Sequence, residues 1–248
     1  MQFVRFVFSV WLEPARQSSF PCYHEFMNPE NLRLEQARTL SSPRLRYGLL
    51  ARALFLTLDI FYGRPRSLSK FKVLEVIARV PYQAWEQVAY VAMTHKYGEP
   101  NFARRIFEFV SEARHQQDNE QWHLLILEEM VEAKNIREGF LRYRLLPQMI
   151  AFFYYHVSWM LYVIRPRLSY ELNAHFEDHA EHEYMEFVRA SPSLENAIFR
   201  SDFENDYGSF NSQADLFRQI GIDERQHKEE SLSRMEQARF GARDYAAS

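Results

Sequence analysis

The chain has 248 residues, 47% hydrophobic and 25% charged, a balance that excludes a disordered protein and allows a sizeable core. Only 7 residues are glycine, which argues against a Rossmann fold, a P-loop or a turn-rich β-sandwich, and a formal net charge of −3 gives no footprint for nucleic acid. The single cysteine, Cys22, excludes an intrachain disulfide, a cysteine-based zinc site and an iron–sulfur cluster held by one chain.

Residues 1–27 open on the apolar run FVRFVFSVWL, broken by Arg5 and ended at Glu13-Pro14. No clear small-residue cleavage site follows, so the stretch reads as an N-terminal arm packed on the domain or on a membrane surface. From residue 28 to 248 the pattern is helical nearly throughout, with no linker or low-complexity segment, which predicts a single all-α domain built as a helix bundle. The first helix is expected from Ser42 to Tyr62, with Gly63 as its stop. The second runs from Ser69 to Tyr97, capped by Ser67 or Ser69, kinked at Pro81 and stopped at Gly98. The third runs from Asn101, a good N-cap, to about Ala133. The fourth covers Glu138 to Ile164, with Pro147 in its early turns, and the fifth covers Ser169 to Ala190, between Pro166 and Pro192. Ser191–Asn211 reads as a loop, and a last helix covers Gln213 to Arg239.

Two of these helices carry Glu-x-x-His: Glu120 with His123, and Glu224 with His227. Residues three apart share a helix face, so each pair can reach one metal ion. Glu120 also falls in the apolar stripe of Ile106, Val110, Ala113, Leu124, Leu127 and Val131, where an unpaired carboxylate would cost several kcal/mol. Phe217, Ile220, Glu224, His227 and Ser231 form a less apolar stripe on the last helix. A carboxylate-bridged two-metal bundle needs two more carboxylates, one from each of two other helices. On the second helix, Glu75 and Glu86 share a face about 16 Å apart along the axis. Folding back at Gly98–Pro100 brings Glu75 level with Glu120 and leaves Glu86 about 12 Å short. On the fifth helix Glu177 shares a face with Ala180, Tyr184 and Val188 and matches the depth of Glu224, with Glu181 as runner-up. His179 and His182 read as surface residues or as neighbours of the ligands. Spacing alone favours a plain core role for Tyr184.

The segments VLEVIARVPY (Val73–Tyr82), NEQWHLLILEE (Asn119–Glu129), the aromatic run from Ile150 to Leu172, FEDHAEHEYMEFVRAS (Phe176–Ser191) and DERQH (Asp223–His227) resemble the alternative oxidases, and most closely their plastid terminal oxidase branch. The resemblance implies a four-helix ferritin-like di-iron bundle with additional membrane-interface helices. It implies two Fe ions held by Glu75, Glu120, His123, Glu177, Glu224 and His227, with Tyr184 as a redox-active tyrosine beside them. It also implies a quinol, ubiquinol or plastoquinol, and O2 as substrates, with water as product and no proton pumping, and it leaves room for a homodimer. Glu177-Asp178-His179-Ala180 is nearer the plastid than the mitochondrial pattern, and Lys228 stands where mitochondrial members carry a second histidine. The 45-residue separation of Glu75 and Glu120 is longer than the family's usual spacing.

Leu145–Ile164 is an uncharged run of 20 residues between Arg142/Arg144 and Arg165/Arg167, long enough to span a bilayer. Its Pro147, Gln148, His156 and Ser158, with three tyrosines, favour instead an interfacial helix in one leaflet, with Leu49–Phe61 as companion: a peripheral, monotopic membrane protein. Other readings of the chain are another di-iron carboxylate enzyme such as a quinone-biosynthesis hydroxylase, a soluble iron store, or a non-enzymatic helical scaffold at a membrane.

Overall fold

The computed structural model describes residues 27–96 and 98–236. Apart from Met27, the expected N-terminal arm lies outside the described residues, as does the expected end of the last helix at Arg239. All regular structure among the described residues is helical: α1 (Pro29–Ser41), α2 (Leu49–Tyr62), α3 (Leu68–Ala78), α4 (Val80–Lys96), α5 (Pro100–Ala133), α6 (Leu146–Ile164), α7 (Pro166–Ala190) and α8 (Gln213–Met235). A π-helical turn, Leu141–Leu145, leads into α6, and a short 3-10 turn, Pro192–Glu195, follows α7.

Several boundaries depart from the sequence reading. Ser42 does not start a helix but caps the end of α1. Residues 43–48 are irregular because their backbone is tied to α7: Leu45 N–H donates to Asp178 Oδ2 at 2.9 Å and Gly48 N–H to His175 Nδ1 at 3.4 Å. The unpredicted α1 had a signal, Asn28 before Pro29, whose side chain accepts from Asn31 N–H. The kink expected at Pro81 is a full break at Arg79, because proline has no N–H to continue the ladder and collides with the turn before it. Ser67 caps α3, as one of the two candidates. Pro100 and Pro166 stand inside the first turns of α5 and α7, where the missing N–H costs nothing, so both helices begin earlier than expected and Glu99 rather than Asn101 is the cap. Gly63 ends α2 at φ 82°, a conformation L side chains rarely adopt.

Four helices, α3, α5, α7 and α8, surround the site. α3 packs on α5, α4 on α5, and α7 lies along α8 over most of its length. α6 covers α4 and α7, and α1 lies across α7 and α8. Polar contacts fix α1 there: Thr39 Oγ1 donates to Glu181 Oε1 at 2.6 Å, and Arg225 donates to both Glu181 and Thr39. One apolar cluster includes Phe71, Leu74, Tyr184 and Phe217, and a second includes Tyr82, Trp85, Phe109, Tyr162 and Tyr170.

α6 is not plain buried core. Pro147, Ala151, Tyr154, Ser158 and Tyr162 turn inward, while Met149, Phe152, Phe153, Trp159, Met160, Val163 and Ile164 are exposed. On α2, Ala51, Leu58 and Tyr62 are buried while Leu49, Leu50, Leu56, Ile60 and Phe61 are exposed. Large apolar side chains are thus exposed along the outward faces of both helices. Among the described residues no helix is long and apolar enough to cross a membrane.

Candidate metal centre

Glu75 comes from α3, Glu120 and His123 from α5, Glu177 from α7, and Glu224 and His227 from α8, and all six are buried. The stripe expected on α5 is buried except at Leu124, which is half-exposed, and the whole stripe expected on α8 is buried. Ligand atoms fall into two groups, each within 4.8 Å: Glu75, Glu120, His123 and Glu224 in one, Glu120, Glu177, Glu224 and His227 in the other. Glu120 and Glu224 belong to both.

The unpartnered atoms show how the six side chains divide. Both carboxylate oxygens of Glu120 and of Glu224 lack a hydrogen-bond partner, whereas Glu75 and Glu177 each leave only Oε2 free. Nδ1 of His123 and of His227 is likewise unpartnered. His123 Nδ1 lies 3.4 Å from Glu75 Oε2, 3.8 Å from Glu120 Oε2 and 3.4 Å from Glu224 Oε1. His227 Nδ1 lies 2.8 Å from Glu120 Oε1, without hydrogen-bond alignment, and 3.8 Å from Glu224 Oε2. Each shared carboxylate therefore presents one oxygen to each histidine. Orphaned buried atoms of this kind are rare in native proteins and call for an ion. Hard oxygen donors with two imidazoles suit a divalent first-row metal such as iron or manganese. Two such cations would carry a charge equal and opposite to that of four carboxylates.

The electrostatics point the same way. Burial, together with the charge of Glu224, raises the Glu75 pKa well above the ordinary carboxylate value, and burial with Glu120 and Glu224 does the same to Glu177. Burial opposes ionisation of Glu120 too, but His123 and His227 outweigh it and hold that carboxyl low. Burial opposes protonation of both histidines, yet the oxygens around them raise both. Four buried carboxylates facing one another make a site that favours cations.

The orientation of His123 is fixed from behind. Asp223 Oδ2 lies 3.2 Å from Nε2, and an ionised carboxylate can only accept, so the neutral ring carries its proton on Nε2 and turns the Nδ1 lone pair towards a metal. Asp223 also accepts from Tyr207 Oη at 2.7 Å, Gln219 Nε2 at 2.9 Å and Asn119 Nδ2 at 3.3 Å. Sequence reasoning missed these supporting groups, although Asp223 and Asn119 each adjoin a Glu-x-x-His pair. Tyr184 is fully buried, stacked on Phe71 at 4.3 Å, and its hydroxyl donates to Glu75 Oε1.

The runner-up residues are elsewhere. Glu86 faces outward and accepts from Arg114 and Gln117. Glu181 accepts from Thr39, Arg225 and Lys228, so its charge is already matched. His182 is buried beside Asp178, and His179 stacks on Phe55 at 4.0 Å. Asp178, Glu181 and His182 are close enough to share an ion, but the Lys228 ammonium stands between the two carboxylates, 3.2 Å from Asp178 and 2.5 Å from Glu181.

A family model described as alternative oxidase matches residues 49–231. The chain is 36% identical over 134 residues to ubiquinol oxidase 4, chloroplastic/chromoplastic, of Arabidopsis thaliana, an alignment covering 54% of this chain and 35% of that protein. It is 25% identical over 131 residues to ubiquinol oxidase 2, mitochondrial, of the same plant, covering 53% and 33%. The chain thus matches about a third of the length of these curated relatives.

Proposed function

The chain belongs to the alternative oxidase family, and on that premise we propose that it is a di-iron quinol oxidase. In the proposed reaction two quinols and one O2 give two quinones and two waters, without proton pumping. The observation that carries this reading is the pair of buried Glu/His groups sharing Glu120 and Glu224. The relatives' names, both ubiquinol oxidases, support a quinol as reductant. Iron ions, when bound, supply reversible one-electron chemistry to O2.

The side chains have separate tasks. Glu120 and Glu224 would serve both metal positions, while Glu75 with His123 and Glu177 with His227 would complete the two ends. Asp223 keeps the His123 proton on Nε2. Tyr184 keeps a phenolic proton at Oη, directed at Glu75. Burial first, then the charges of Glu75 and Glu224, raise the Tyr184 pKa, so the phenol stays protonated until it gives up an electron and a proton together. The assay is O2 uptake by purified protein in detergent with ubiquinol and plastoquinol side by side, in the presence of cyanide. Cyanide-resistant uptake with one O2 consumed per two quinols is expected. A hydroxylated quinone as product, or no quinol-dependent uptake, would refute the oxidase reading.

The protein is proposed to sit in one leaflet through the outward faces of α2 and α6. The apolar exposure there, with exposed arginines at 142, 144, 165 and 167 at the ends of α6, supports this placement. Liposome flotation checks it: the parent protein is expected to float, and Ile60→Glu/Phe153→Glu to remain largely at the bottom with its helix content unchanged. Flotation of the double variant at the parent level would remove these two helices from the membrane contact.

A further inference from the structure

Glu177 is held by a hydroxyl that the proposed reaction does not use. Tyr82, in the first turn of α4, is fully buried, and its hydroxyl donates to Glu177 Oε1 at 2.7 Å. The Tyr82 hydroxyl oxygen in turn accepts from Asn173 Nδ2 at 3.0 Å, and Asn173 Nδ2 also donates to Ser231 Oγ at 3.1 Å. Trp85 packs edge-on to the phenol ring at 5.2 Å, and His227 at 5.8 Å. The ring is thus fixed on its sides and the hydroxyl is oriented by Asn173, so its proton faces Glu177.

The arrangement repeats at the other end of the cluster, where Tyr184 donates to Glu75 Oε1. The two carboxylates with one free oxygen are those a tyrosine holds, and the two with both oxygens free, Glu120 and Glu224, accept from no tyrosine. The contacts also cross. Tyr184 stands on α7 with Glu177 and reaches Glu75, while Tyr82 follows the α3 that carries Glu75 and reaches Glu177.

We propose that Tyr82 is a positioning residue for the metal position made by Glu177 and His227. By occupying Oε1, it leaves Glu177 one oxygen to give, Oε2, and denies it a chelating geometry in which both oxygens meet one ion. Phenylalanine at 82 keeps the ring and removes this control. The inference rests on the two-metal reading of the site, and its test separates the two.

The test is anaerobic Fe(II) titration of the metal-free full-length protein, followed by Mössbauer spectroscopy. The parent is expected to take up two equivalents and show two ferrous doublets; uptake of fewer than two would overturn the two-metal reading itself. Glu177→Ala identifies the doublet that belongs to its own position as the one it loses. Tyr82→Phe is expected to weaken binding at that same doublet by about 10–100-fold, a usual cost of losing a group that orients a ligand, and to leave the other unchanged. Equal weakening of both doublets would make Tyr82 a general packing residue, and no weakening would make it irrelevant to the metal; either result overturns the proposal. If Tyr82→Phe does not fold by circular dichroism, Asn173→Ala keeps the phenol but frees its hydroxyl. Selective weakening of the Glu177 doublet is again expected, and its absence overturns the proposal.

Discussion

Glu120→Ala is expected to empty both metal positions, Glu75→Ala to empty one, and Glu86→Ala to empty neither. The grading follows from how many groups each side chain joins. Glu120 offers an oxygen to both histidines, so its loss removes a ligand from each position at once. Glu75 belongs to the His123 group alone and leaves His227, Glu177, Glu120 and Glu224 together. Glu86 accepts from Arg114 and Gln117 away from the cluster, and its replacement costs no more than a surface polar contact, on the order of 1 kcal/mol. Loss of iron in Glu75→Ala need not mean loss of fold. Burial and the neighbouring Glu224 charge already penalise an ionised Glu75, so alanine relieves that repulsion in the metal-free protein. Metal analysis of the three variants after identical iron supply reads the series. A filled pair in Glu75→Ala, or an empty one in Glu86→Ala, would reverse the ligand assignment on α3 and α4.

Tyr184→Phe is expected to keep the fold and, under saturating iron, the metal content, yet to lose O2 reduction by at least ~10²-fold, the scale of a positioned proton donor. As packing the exchange is mild. The ring stacks on Phe71 and lies 6.1 Å from Phe217, contacts that phenylalanine retains. The lost hydrogen bond leaves Glu75 Oε1 without a donor, a stability cost of about 1–3 kcal/mol. The proposed chemistry is not expected to survive, because phenylalanine has no phenolic proton to release with an electron. Steady-state O2 uptake, thermal unfolding and iron content measured on one preparation separate the two effects. Near-parental turnover would return Tyr184 to a packing role.

The six cluster residues were legible because their signals are local. Glu-x-x-His follows from helical period, and the depths of Glu75 and Glu177 follow from rise per residue counted from a turn. Helix–helix contacts leave weaker traces. Spacing set Tyr184 beside Glu177 on one helix face, whereas its hydroxyl crosses the bundle to Glu75, a meeting of α7 with α3 that no local period encodes. Tyr82 was visible only as part of VLEVIARVPY, since its tie to Glu177 spans 95 residues. The stretch before α2 looked helical from its composition but is held irregular by Asp178 and His175 on a distant helix. In contrast, α1 was missed despite a readable Asn28-Pro29 start, because its buried face carries Gln36 and Thr39 beside Leu32 while Leu34 is exposed, which leaves little apolar periodicity.

The central claim is a pair of metal ions that share two carboxylates. It is tested most directly by metal analysis and Mössbauer spectroscopy of iron-supplied parent protein. About two irons per chain are expected, at two positions that share Glu120 and Glu224. Protein without iron, with stoichiometric zinc in its place, or with only one iron per chain would contradict it.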